Sequence, residues 1–530
     1  MHKHQTTIQQ RINSSLSVLM SESNLNHMKK ISYLKYMVFS LAVLTTACSK
    51  NFLEDPSPKN GDLTETIIFS SKAGARSALT GIYWILRSED FNGYGGASGG
   101  AGVLTNRGLQ TSMFHFEMKG NDFLDIYGGT YWWGNEATWK EGYYNRDANG
   151  SRTVQIWDMF YAVINNANAV IKYVPELPDA SEDEKKQLIA EAKALRAYSY
   201  FWLARVYQKS YAQNPDNPGV PIYTEPANKE TYGNPRASLK EVYNLVVSDI
   251  EFAVANLSAT RNEKYEINKN VAQGIAAMIY QELAMSDPAQ WDKVINNAKE
   301  AMTGYPLMTN SQYKQGFNNL SNGEWIWGLP VPNDQSLTYY SIYSFLDQTN
   351  GYYKNIYATS ELYDLYSATD ERRSLLVNPG YGPAYPLYQN YTNKFKSRTA
   401  GVMEGDIIIL RSAQLLLIEA EAYIHKNEFQ KAVDKMYELQ KLRDPQAVKL
   451  STALSKSQLL DEVIKERRRE LYGENGGVYF DYKRLQKTFK RTGNNPFLVE
   501  IQPSDVRWLL RIPQKEINSN TSLTEADQNP

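Results

Sequence analysis

The stretch from Leu188 to Val206 constrains the fold more than any other part of the chain. Leu188, Ala192, Leu195, Ser199, Trp202 and Val206 recur at steps of three and four residues, the spacing of one helix face. Ala190, Ala194, Ala197 and Ala204 lie among them and let a second helix approach closely. The same periodicity predicts helices over roughly 72–87, 156–173, 181–207, 238–257, 269–285, 288–302, 411–425, 428–443 and 456–471. Most come in pairs. Small and large residues alternating on paired helices are how tetratricopeptide-type units stack, although the spacing here departs from a strict repeat of about 34 residues. The expected fold is mostly α, a tetratricopeptide-like helical-pair scaffold whose degenerate repeats sit in one domain.

Two long insertions, near 91–151 and 304–403, interrupt the helical pattern and read as irregular. The first carries Gly93-Tyr94-Gly95-Gly96, Tyr131-Trp132-Trp133, Trp139 and Tyr143-Tyr144. The second carries Trp325, Trp327, Tyr339-Tyr340, Tyr343, Tyr352-Tyr353 and a Gly/Pro/Tyr stretch from 379 to 391. Long loops on a rigid scaffold are where binding residues concentrate. With 38 Tyr and 10 Trp against 17 Phe, the aromatics are mostly polar-tipped, a composition suited to half-wet surfaces. For most single tyrosines, helix-helix packing is the simpler reading.

Cys48 is the only cysteine among 530 residues, so no disulfide framework holds the chain and its core must do so. It ends the run Leu41-Ala42-Val43-Leu44-Thr45-Thr46-Ala47-Cys48, which follows Lys29, Lys30 and Lys35. A basic segment, a short apolar run and a small-residue cleavage site make a bacterial lipoprotein export signal. Thr45 stands where such signals usually have Leu, with Leu44 one residue early. The run stops well short of the roughly 20 apolar residues that span a bilayer. The expected organisation is an over-extended start over 1–27, a signal peptide over 28–47, a lipid anchor and tether over 48–57 with Cys48 as attachment point, and one domain over 58–530.

The histidines narrow the chemistry. His2, His4 and His27 precede the signal, which leaves His115 and His425. Two separated histidines and no free thiol remove most routes to nucleophilic catalysis and to zinc binding. Neither a catalytic group, a metal nor a cofactor is expected. Net charge is −1 without a basic stripe, so nucleic acid is a poor partner. The glycines after Phe91 miss the register of a phosphate cradle. Asn145-x-Asp147-x-Asn149-Gly150 resembles the start of a calcium loop, yet Ile156 stands where the closing Glu belongs, so a turn is the reading. Glu419 and Glu421 lie two apart on a helix and point to different sides, so they cannot pair across one glycosidic bond. Glu466-Arg467-Arg468-Arg469-Glu470 reads as a solvated or scaffold-pairing charge run.

Several ordered motifs remain. Phe52-Leu53-Glu54-Asp55-Pro56 follows the cysteine, and Trp157-x-x-x-Tyr161-x-x-Ile164-x-x-Ala167-Asn168 comes next. Glu191-Ala192-x-x-Leu195-Arg196-Ala197-x-x-Tyr200-Phe201-x-Leu203-x-x-Val206-Tyr207 leads to Gly219-Val220-Pro221-Ile222. Arg236-x-Ser238-x-x-Glu241-Val242-Tyr243 and Asp249-Ile250-Glu251 precede Leu410-Arg411 and Leu415 to Ala422. Glu466-Arg467-Arg468-x-Glu470-Leu471, Phe480-Asp481-x-x-Arg484, Ile512-Pro513-x-x-Glu516-Ile517 and Gln528-Asn529-Pro530 close the series. Together, nearly end to end, they resemble the SusD/RagB family of outer-membrane nutrient-binding lipoproteins. Val478 departs from the pattern, since members usually carry Arg just before the aromatic of that motif.

The resemblance implies a lipidated, surface-exposed binding protein of the outer membrane that hands a nutrient to a TonB-dependent, SusC-like transporter. Members bind glycans or, in a RagB-like branch, peptides. A sugar ring offers an apolar face to Trp or Tyr while its hydroxyls seek Asn, Asp or Arg. Tyr131, Trp132 and Trp133 with Asn121 and Asp122 supply both chemistries, and Tyr339, Tyr340 and Tyr343 extend them. An oligosaccharide is therefore the expected ligand. A tetratricopeptide-type lipoprotein that binds only proteins is the alternative, and the two differ in whether the aromatic insertions form an open platform.

Overall fold

Ser181, Ser238 and Ser455 cap three of the long helices. A computed structural model describes residues 65–87, 108–127, 133–139, 148–336 and 338–530. Cys48, the segments 1–27, 28–47 and 48–57, and Tyr131 and Trp132 lie outside the described residues. The scaffold helices are α1 (Lys72–Arg87), α2 (Ser151–Tyr173), α3 (Glu182–Tyr207), α4 (Leu239–Asn256), α5 (Lys269–Leu283), α6 (Trp291–Met302), α7 (Ser412–His425), α8 (Phe429–Arg443), α9 (Lys456–Leu471) and α10 (Gly477–Arg484). Capping boxes open α3 (Ser181 with Glu184), α4 (Ser238 with Glu241) and α9 (Ser455 with Gln458), satisfying backbone donors that a bare helix end leaves orphaned.

Each scaffold helix packs on the next in chain order from α2 to α8, with α1 against α2 and α9 against α7 and α10. In α3 the alanines Ala190, Ala194, Ala197 and Ala204 are buried with Leu195, Trp202 and Val206, so the close-approach surface read from the sequence is part of the core. Residues 66–530 form one compact unit. Among the described residues, no helix is long and apolar enough to cross a membrane.

The described parts of the insertions contain regular elements. Within 91–151 lies the helix Gly108–Lys119, buried along its whole length, then the strand Phe123–Asp125 and the short helix Gly134–Thr138. Within 304–403 the strand Ile356–Ala358 pairs antiparallel with Phe123–Asp125, Phe123 facing Ala358 and Asp125 facing Ile356. The two insertions are thus joined by a ladder. A second ladder pairs Trp325–Leu329 with Ile407–Arg411 at the entry to α7. Phe114, Phe123, Trp133, Trp325, Phe345 and Phe395 belong to a separate apolar cluster under these ladders.

The charge run of α9 is not solvated. Glu470 accepts hydrogen bonds from Arg372 (2.8 Å), Arg411 (2.8 Å) and Arg443 (3.0 Å), all buried. Burial alone would raise the Glu470 carboxyl, but the three guanidiniums outweigh it and hold it well below the usual range. Arg411 also reaches Glu324 (2.9 Å) and Glu474 (2.7 Å). One cluster therefore clamps α8 and α9 to the second insertion. Glu421 faces Arg467 and Arg484, while Glu419 lies toward Lys299 and Lys435, so the two carboxylates do point apart. Val478 is buried against Gly120, an apolar contact.

Candidate functional site

The short helix Ile342–Leu346 and the turn after it mount a stack of aromatic rings that runs from the core to the surface. Trp133 packs edge-on against Phe114 (ring centroids 4.9 Å apart) and against Phe345 (5.6 Å). Tyr353 stacks on Phe345 at 5.1 Å and 15°. Tyr352 meets Tyr353 edge-on at 5.1 Å, and Tyr339 meets Tyr352 at 4.6 Å. Trp133 has no exposed surface, Tyr352 is 63% exposed and Tyr339 45%, so the outer end is an open aromatic face on a solid base.

The backbone beneath is pinned. Asp347 accepts from the amides of Thr349 (2.9 Å), Asn350 (3.1 Å) and Ser397 (2.8 Å). The amides of Tyr353 and Lys354 donate to the Ser344 carbonyl at 2.9 and 3.0 Å. Gly351 is required by space: a Cβ there would stand 2.3 Å from the Asp347 carbonyl oxygen and 2.8 Å from two others. Thr338 (φ 47°) and Lys354 (φ 50°) hold left-handed backbone beside Tyr339 and Tyr353, conformations that cost energy in residues with a Cβ. The Gln348 amide donates to the Lys354 carbonyl at 3.3 Å and the Lys354 ammonium to the Thr349 carbonyl at 3.3 Å, bracing the same turn.

Of the residues expected to bind, the structure brings only part to this face. Tyr339 is exposed and Tyr340 half-buried. Trp133 is a core residue, not a stacking platform, because Phe114 and Phe345 close over it and the Arg152 guanidinium lies 5.2 Å from its ring centre. Asn121 and Asp122 are buried too. The Asn121 side-chain amide donates to Glu361 and the Asn121 backbone carbonyl accepts from the Thr359 hydroxyl, while Asp122 pairs with Arg468 at 2.7 Å. Both hold the strand joining the insertions, and neither faces a ligand. Tyr343 is buried, its hydroxyl donating to the Phe317 carbonyl at 2.6 Å. Tyr352, absent from the expected set, is the most exposed ring of the stack. Its signal was the Asn350-Gly351 turn just before it.

Of the two histidines outside the segment 1–27, His115 is buried and His425 half-buried. His115 holds Nδ1 2.9 Å from Glu136. His425 stacks on Trp291 (4.4 Å), and burial lowers it to about 4. Among the described residues, no group of three or more His, Cys, Asp or Glu could hold a metal ion. Exposed rings on a fixed base can bind the apolar face of a ligand ring.

Comparison with known proteins agrees. Residues 105–281 match a family model described as starch-binding and associating with the outer membrane, and residues 339–530 match the SusD family model. A SusD-like protein, P38, of Formosa agariphila is 25% identical over 422 residues, covering 68% of this chain and 78% of that protein. A SusD-like protein of Bacteroides ovatus is 23% identical over 364 residues, 61% of this chain and 64% of its own length. Among solved structures, a SusD-like carbohydrate binding protein from Bacteroides vulgatus superposes with a TM-score of 0.74 at 26% identity, covering 86% of this chain and 98% of that one. A SusD superfamily protein from Bacteroides thetaiotaomicron, 22% identical, shares the fold with a TM-score of 0.69 over 87% of this chain and all of its own. With two family models matched in order along the chain and the fold shared over 86% of it, this protein belongs to the SusD/RagB family.

Proposed function

We propose that this protein is a lipid-anchored, cell-surface binding protein that captures an oligosaccharide and delivers it to a TonB-dependent, SusC-like outer-membrane transporter. Proteins of the family are binding proteins, not enzymes. The observation that carries the reading is the open face of Tyr339 and Tyr352 on a rigid aromatic stack. Its rings offer apolar surface to a sugar, and Tyr340, Asn350 and Lys354 offer groups for its hydroxyls. The ligand class is supported by the starch-binding description of the matched family and by the carbohydrate binding protein that shares the fold.

A lipid on Cys48 would hold the protein at the membrane, where capture is useful only if a channel lies within reach. Native-gel retardation against a panel of soluble starch, xylan, β-glucan, pectin and mixed peptides tests the reading. Retardation by at least one glycan is expected. Retardation by peptides alone would favour the RagB-like alternative.

A further inference from the structure

A second cluster of exposed tyrosines lies on the same insertion. Tyr381 is 56% exposed and Tyr385 55%. Both lean edge-on against Tyr388, at 5.5 and 6.0 Å, and sit 6.1 Å from each other. Tyr388 in turn meets Tyr357 at 5.6 Å, and Tyr391 meets Tyr357 at 6.3 Å. Tyr357 is buried in the strand Ile356–Ala358, so the cluster rests on the ladder that joins the insertions.

This loop is shaped by its backbone. Gly380 and Gly382 take φ of 81° and 78°, values that favour glycine, and the Asn378 side chain accepts from the Gly380 amide at 2.8 Å. The Asn494 side chain donates to the Pro386 carbonyl at 2.8 Å, tying the loop to the C-terminal region. Tyrosines that serve packing bury their rings. Here two rings stay more than half open on partners that are themselves ordered, as a stacking surface requires.

The bases of the two clusters are linked by one short segment of chain. Tyr353 and Tyr357 are four residues apart, so their backbones are separated by at most about 14 Å. Gln348 lies between them, its amide donating to the Lys354 carbonyl at 3.3 Å and its oxygen 3.5 Å from the Tyr357 hydroxyl.

We infer that Tyr381 and Tyr385 form a second carbohydrate platform, and that the ligand is an oligosaccharide long enough to lie across both faces. The inference rests on the carbohydrate reading above and adds the length of the ligand to it. A chain engaging both faces binds the second as an intramolecular event, at high effective concentration. A fragment that covers only the Tyr339–Tyr352 face gains nothing from Tyr381.

The test is titration calorimetry with a length series of the glycan that retards the protein on gels, comparing the wild type with Tyr381→Ala/Tyr385→Ala. Tyr232→Ala, at a site 77% exposed outside both clusters, is the control. The double variant should bind the longest oligosaccharide about tenfold more weakly and the shortest bound fragment within about twofold of wild type. Its melting temperature should match that of the control. Unchanged affinity for the longest chain would overturn the second platform while leaving the first face intact. Equal loss for short and long chains would place the primary site at Tyr381, against both readings. A wild type that retains no glycan would overturn the carbohydrate reading and the platform with it.

Discussion

At the residue scale, burial separates tryptophans and tyrosines that look alike in the sequence. Trp133 and Tyr352 both stand in aromatic pairs within Gly-rich insertions, yet one is a foundation and the other a surface. The difference lies in contacts with Phe114 and Phe345, one of them more than 200 residues away, which no local pattern encodes. Trp133→Ala should therefore act as a core truncation, lowering stability by about 3–5 kcal/mol, since it removes a large ring and leaves a cavity. Chemical denaturation measures this. A variant as stable as wild type but weaker in glycan binding would return Trp133 to the ligand face. Asn121 and Asp122 teach the same lesson: their side-chain polarity suggested sugar hydroxyls, but Glu361 and Arg468 use it internally. Of the described part of the expected site, Tyr339 and Tyr340 keep surface to offer.

At the scale of elements, the scaffold was legible because its helices announce themselves. Helices 72–87 and 456–471 end where the periodicity puts them, and Ser181, Ser238 and Ser455 cap α3, α4 and α9. The helix Gly108–Lys119 was not legible, because it is buried on every side and so has no apolar stripe. The joining of the two insertions by the ladder at Phe123 and Ala358 was also hidden, being a pairing of distant three-residue strands. The turn carrying the outer rings depends on Gly351. Gly351→Ala forces a Cβ into three carbonyl oxygens, so the turn must shift. Glycan affinity should fall at least about fivefold, by misplacing Tyr352 and Tyr353. Calorimetry on a variant shown to be folded by circular dichroism checks it, and wild-type affinity would mean the turn does not position the face.

At the scale of the molecule, buried charge and surface aromatics divide the work. The motif Glu466-Arg467-Arg468-x-Glu470 belongs to the scaffold, binding α9 to the second insertion and to α7, and so it carries the family resemblance without touching the candidate site. Its charges make stability acid-sensitive. Burial would raise Glu466, but Arg372 and Arg469 hold it at about 2, and Arg152 and His115 hold the buried Glu136 at about 2 as well. Both are depressed relative to an unfolded value of 4.5, so their contribution is complete above that value and is lost as pH falls through about 2. Burial pushes Glu117 up to about 7, so it is protonated in both states below pH 4.5 and adds no slope there. Melting temperature should drop steeply between pH 4.5 and 2, and Glu466→Gln should flatten the drop; an unchanged slope in that variant would contradict it. For the whole assembly, affinity purification of a tagged protein in mild detergent should bring down one large β-barrel, because tethering raises the effective concentration of the partners. Repeated recovery alone would favour the protein-binding scaffold and remove the handover.

The central claim is that the Tyr339–Tyr352 face holds carbohydrate. Titration of the retained glycan into wild type and into Tyr339→Ala/Tyr352→Ala measures it directly. Losing two stacking rings should weaken binding by about 1–3 kcal/mol per ring, with a melting temperature close to that of wild type because both rings are exposed. Equal affinity in the two proteins would contradict the claim and place the ligand elsewhere on the molecule.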